Sequence, residues 1–251
     1  MADVATTIAL GTVATFVPLY FGLAIPKAIG AQTERKALAL TAVSVGIIFW
    51  FFLDVMGDST LLGVNQGLNF DYAHVLLILA FALGFVFLFG LEGRRDGAEG
   101  LPNAFTYRVA AIVALGIGFH ALGEGMDIGS ITPNVSSIID AIGGVLPGTA
   151  YVIHKILEGF VVGAFAVLGG LSYKKLGVLG LISGVPTVLG FFIGLQSPFE
   201  STYFFALGGA AAVYVEMKLV PALQLRKYLW TTVVLFLVGF FLMYSAGLLH
   251  G

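Results

Sequence analysis

Cysteine is absent from this 251-residue chain, which excludes disulfides and thiolate metal sites. Histidine, carboxylate, asparagine and methionine are the side chains left that can bind a metal ion. Charge is scarce as well. Only 10% of residues are charged, against about a quarter in soluble domains, so no large water-facing domain fits in the chain. The net charge is −2 and no basic run of five or more occurs, which argues against a nucleic-acid surface. What the chain has instead is apolar: 59% hydrophobic residues and a mean hydropathy of +1.01 define an integral membrane protein. Its 34 glycines suit the close helix packing that a bilayer favours.

A hydrocarbon core about 30 Å thick needs about 20 apolar residues per helix. Runs of that length predict an all-α, polytopic fold of eight transmembrane helices, near 5–26, 36–57, 72–93, 107–131, 148–170, 175–195, 202–222 and 228–249, in a single transmembrane domain over 1–251. The run 6–25 is too long for the apolar part of a signal peptide, and Asp3 is the only charge before it, so it reads as the first span. Pro18 and Pro186 fall inside spans, where neighbouring helices can satisfy the carbonyls they free.

Eleven of the twelve basic residues flank the odd-numbered connections. Lys27, Arg35 and Lys36 lie at the first, Arg94, Arg95 and Arg108 at the third, Lys174 and Lys175 at the fifth, and Lys218, Arg226 and Lys227 at the seventh. The expectation is a multi-pass protein of the cell membrane with those connections in the cytoplasm and both termini outside. The twelfth basic residue, Lys155, is inside span five.

Two strings within the spans carry the chemistry. His120-Ala-Leu-Gly-Glu124-Gly125-Met-Asp-Ile-Gly129 and His154-Lys155-Ile-Leu-Glu158-Gly159-Phe-Val-Val-Gly163 both read His-x3-Glu-Gly-x3-Gly. Each puts an imidazole and a carboxylate one helical turn apart on one face. Ionisable groups are costly in lipid and mark functional sites by default. At 1.5 Å per residue, His120 and Glu158 fall within about 2 Å of their span midpoints, and Glu124 and His154 roughly 7 Å further out. Antiparallel neighbours would then present two levels, His120 with Glu158 and Glu124 with His154. Two imidazoles and two carboxylates suit a borderline divalent ion such as zinc, iron or manganese, whereas calcium asks for more oxygen. The Gly125/Gly129 and Gly159/Gly163 pairs are expected to let the two backbones approach closely enough to share one ion.

At these residues the chain resembles the ZIP (Zrt-, Irt-like) family of divalent metal transporters, in the form with a short intracellular loop. The resemblance extends to the seventh span, where the small-residue run at 205–216 ends in Glu216. It implies eight spans with both termini outside and a metal held by His120, Glu124, His154 and Glu158. It also exposes departures at the positions that hold a second ion in two-ion members. Ala121 follows the span-four histidine, Lys155 follows the span-five histidine, and Thr187 occupies the span-six position that is often Glu. Their joint loss predicts a mononuclear site, with the Lys155 ammonium three residues before Glu158 standing where a second cation would be; the alternative has Lys155 snorkelling outward. Leu157 replaces a proline frequent in the family, which puts a kink there in doubt. Segment 93–106 has no histidine, so a metal-sensing loop is not expected.

Other polar residues are candidates for a pathway. Asp54, near the outer end of span two, reads as a collector of cations at the outer mouth, as a group completing the coordination sphere, or as an interfacial acid, with Met56 the weaker candidate beside it. Asp127 reads as continuing a polar path outward or as facing a loop, and Glu216 as an exit-path acid or as one half of an ion pair with Lys218. Asp71 and His74 read as interfacial. The expected partners are the transported metal ion, the lipid bilayer and, where it assembles, a second copy in a homodimer; no resident cofactor is expected. The expected function is inward transport of a divalent metal, zinc foremost. The alternatives are an intramembrane zinc-dependent hydrolase and a bis-histidine haem carrier.

Overall fold

The computed structural model describes residues 4–64, 72–92, 105–134, 137–196, 201–223 and 225–250. Nine α-helices occur among them: α1 (Val4–Ile29), α2 (Glu34–Val64), α3 (Tyr72–Glu92), α4 (Tyr107–Ile131), the one-turn α5 (Ile138–Ala141), α6 (Val145–Leu168), α7 (Tyr173–Gln196), α8 (Thr202–Leu219) and α9 (Leu225–His250). All except α5 are long and apolar enough to cross a membrane, so the eight expected spans are present. The described residues contain no strand. Asp71 and the interior of the third connection lie outside the described residues, as do the side chains of His74 and His250.

Local signals set where the two ligand-bearing helices begin. The Thr106 hydroxyl accepts a hydrogen bond from the Val109 amide at 3.2 Å and caps α4. Gly143 and Gly144, with φ of 81° and 107°, turn the chain into α6 through backbone conformations that side-chain-bearing residues resist. Pro147 then falls in the first turn of α6, where its missing N–H removes no helical bond. Helix α6 continues unbroken to Leu168, with Leu157 in its interior and no kink there.

These two helices form the centre of the bundle. In α4 and α6, 78% and 72% of the residues in the spanning window are buried, against 17% in α3 and 22% in α9, whose flanks face lipid. Each central helix is seated on an outer partner by glycine. A Cβ on Gly125 or Gly129 of α4 would strike the carbonyl of Thr187 or Phe191 in α7, and one on Gly190 or Gly194 of α7 would strike the carbonyl of Leu122 or Met126 in α4. Gly159 and Gly163 of α6 meet the carbonyls of Leu19 and Leu23 in α1 in the same way, and Gly22 of α1 meets that of Ile156. A third such pair joins α2 and α9 through Gly46 and Gly239.

This corrects the role expected for the motif glycines. They do not bring α4 and α6 together; each pair docks its helix on a different neighbour. The reason is angular. Five residues separate each motif histidine from its first glycine, which places the two about 140° apart around the helix. With the histidines turned inward, the glycines turn outward.

Candidate metal centre

His120 and Glu124 on α4 converge with His154 and Glu158 on α6. All four are buried, and one ligand atom from each lies within 4.8 Å of every other. His120 Nε2 is 3.3 Å from Glu124 Oε1 and 3.7 Å from Glu158 Oε1, while His154 Nε2 is 3.9 Å and 3.3 Å from the same two atoms. Two donors about 2.0 to 2.1 Å from a tetrahedral zinc lie about 3.3 to 3.4 Å apart, so the set is near the spacing at which one ion touches all four atoms.

The two expected levels are merged into one. Helical side chains lean toward their own N-terminus. Glu124 therefore reaches back to His120 and Glu158 back to His154, and because the helices are antiparallel the two carboxylates are brought toward one another. The shorter His–Glu distances are those within each helix, not those across the pair.

The second oxygen of each carboxylate faces Lys155. This lysine is fully buried, with Nζ paired to Glu124 Oε2 and hydrogen-bonded to Glu158 Oε2 at 2.7 Å. It does not snorkel. Each glutamate thus presents Oε1 to the imidazoles and Oε2 to an ammonium. Ala121 and Thr187, the other two departures from the two-ion pattern, are buried, and Thr187 Oγ1 has no hydrogen-bond partner among the described residues.

Aromatic rings fix the imidazoles. Phe51 of α2 stands edge-on to His120 at 4.6 Å between ring centres, Phe205 of α8 lies at 5.4 Å from the same ring, and Phe51 reaches His154 at 6.2 Å. The two imidazoles lie 5.8 Å apart and inclined by 17°. Both Nε2 atoms are directed at the same two carboxylate oxygens. Gly208, in the small-residue run of α8, lies where a Cβ would come within 2.8 Å of His120 Cβ, so that run lets α8 approach the site. Behind Lys155, Tyr151 lies 5.6 Å from ring centre to ammonium and shares a 3.1 Å hydrogen bond with Thr15 of α1. Sequence reasoning passed over Tyr151, Phe51 and Phe205. Tyr151 carries a signal in its spacing, one turn before His154, but the two phenylalanines are hidden among 22.

A cavity of about 550 Å³ leads to the cluster from the end where α4 finishes and α6 begins. Asp54, Asp127, Glu124, His154 and His120 line it, so both aspartates lie on one path to the ligands. Met56 is not brought to this path. Two residues beyond Asp54 on α2, it points its sulfur at Gly209 of α8. Glu216 is also elsewhere, with Oε1 buried and without a hydrogen-bond partner among the described residues. Its expected partner Lys218 is taken by Glu92, at 2.6 Å, in a pairing that the sequence did not disclose. Tyr214 donates to the same carboxylate at 3.3 Å.

Eight apolar helices around a buried two-histidine, two-glutamate cluster fit a membrane metal transporter. No family model matches the chain, and no curated protein matches it.

Proposed function

We propose that this protein is a ZIP-type transporter that carries one divalent transition-metal ion at a time into the cytoplasm, zinc foremost, with iron and manganese as the other borderline ions the donor set accepts. The observation that carries this reading is the convergence of two Nε2 and two Oε1 atoms from adjacent buried helices within 4.8 Å. The Asp54 and Asp127 mouth supports entry from the side opposite the basic connections. Ions would shed water there, bind the four donors, and leave when one group of helices rocks against another.

Lys155 supports a count of one. Its ammonium occupies the carboxylate oxygens that a second ion would need. Four protein donors also complete a tetrahedral sphere, whereas hydrolytic zinc sites keep a position open for water, which favours carriage over hydrolysis.

The test is zinc uptake into proteoliposomes containing the purified chain. Uptake is expected in the wild type and lost in Glu158→Ala, which removes one oxygen donor and strands the Lys155 ammonium. Undiminished uptake by that variant defeats the proposal.

A further inference from the structure

Lys27, at the end of α1, differs from the other enclosed lysines. Lys155 and Lys218 hold carboxylates. Lys27 is half-buried, yet no carboxylate pairs with it among the described residues; its Nζ donates to the Leu171 carbonyl at 2.9 Å and lies 4.9 Å from the centre of the Tyr173 ring. An ammonium has three donors, so one carbonyl leaves two of them unused. A partly desolvated cation without a counter-charge is costly, and an anion placed there would remove the cost.

The ammonium stands at one end of an open cleft of about 490 Å³ between α1 and α7. Leu23, Ala24 and Ala28 form one wall, and Leu176 and Gly177 the other. A Cβ on Gly177 would meet nothing within 4 Å, whereas one on Gly180 would run into the Tyr20 ring, so the cleft is open at the first and closed at the second. The Tyr20 hydroxyl donates to the Gly177 carbonyl at 2.8 Å and bridges the two helices there. Beside the cleft, Phe21 and Leu181 are 60% and 49% exposed, which marks the rim as lipid-facing. The cleft shares no residue with the metal cavity.

We propose that this cleft seats an anionic phospholipid, its phosphate on Lys27 and an acyl chain along Ala24 and Gly177. Charge complementarity selects an anion, and the walls select a lipid. Apart from Lys27, the cleft offers apolar side chains and two tyrosines, which give a small soluble anion little to bond and a hydrocarbon chain a surface to cover. Basic pockets between spans on the positively charged face of a membrane protein recognise lipid headgroups in this way. Exposed Lys174 and Lys175, next to Tyr173 in the chain, add to the local positive field, and neither pairs with a carboxylate among the described residues.

Native mass spectrometry of the delipidated full chain, titrated with phosphatidylglycerol or phosphatidylcholine of identical acyl chains, tests the proposal. The wild type is expected to retain phosphatidylglycerol about fivefold better, the worth of one lysine near a headgroup. Lys27→Gln should abolish that preference. Gly177→Phe, which fills the cleft at unchanged charge, should lower phosphatidylglycerol binding, and Lys36→Gln, outside the cleft, should leave it intact. Equal retention of both lipids by the wild type overturns the proposal, as does an unchanged preference in Lys27→Gln, an equal loss in Lys36→Gln, or competition by millimolar inorganic phosphate. If Gly177→Phe fails to elute as folded protein, the two lysine variants decide.

Discussion

Among single residues, Lys155 has the largest consequence for the site. Removing it leaves two buried carboxylate oxygens without their counter-charge, a loss that typically costs about 3 to 5 kcal/mol. A divalent ion can supply that charge. Lys155→Ala is therefore expected to melt at lower temperature than the wild type without metal, to be stabilised more by added zinc, and to bind two zinc ions per chain where the wild type binds one. Elemental analysis after gel filtration reads the count, and an unchanged count of one contradicts the assignment of Lys155 as the second cation. The four donors themselves were legible in the sequence, because an imidazole and a carboxylate four residues apart in an apolar run have few structural uses. Their convergence on one level was not, since it depends on side-chain lean rather than on position along the helix axis.

At the level of helices, the glycine seats make a prediction that one helix can test. Gly190 of α7 lies on the Leu122 carbonyl, while Gly177 of the same helix faces open space. Gly190→Ala should cost about 1 to 3 kcal/mol through overpacking. Gly177→Ala should instead gain about 0.5 to 1 kcal/mol through the ordinary helix preference for alanine. Thermal unfolding in detergent should shift in opposite directions for the two, and shifts of the same sign would remove the carbonyl contacts as the cause. The existence and number of the spans could be read from the sequence because bilayer thickness fixes their length. Which glycine meets which helix could not, because a small-x3-small pattern names a face and not its partner. The Glu92–Lys218 pair was hidden for a similar reason: the two residues are 126 positions apart, and no spacing rule joins them.

For the whole molecule, the lack of cysteine is an experimental asset. Single cysteines placed at Asp54 or Asp127 on this background should react with membrane-impermeant thiol reagents from outside intact cells, and cysteines at Lys36 or Lys174 only after permeabilisation. The reverse pattern would invert the orientation inferred from the basic residues. Zinc should slow labelling at Asp127 more than at Lys36, since Asp127 lines the path to the cluster.

The Lys155 pairing has one further consequence, on the transport reading. Two carboxylates and one ammonium, with neutral imidazoles, leave the site with one net negative charge, and a bound dication reverses it to one net positive charge. Each 100 mV across a membrane is worth about 2.3 kcal/mol per elementary charge. A cell interior held negative therefore draws the loaded site inward and drives the unloaded site back out. Without the ammonium the loaded site would be neutral and only the return would feel the voltage. On that reading, the buried ammonium lets one membrane potential assist both halves of the cycle.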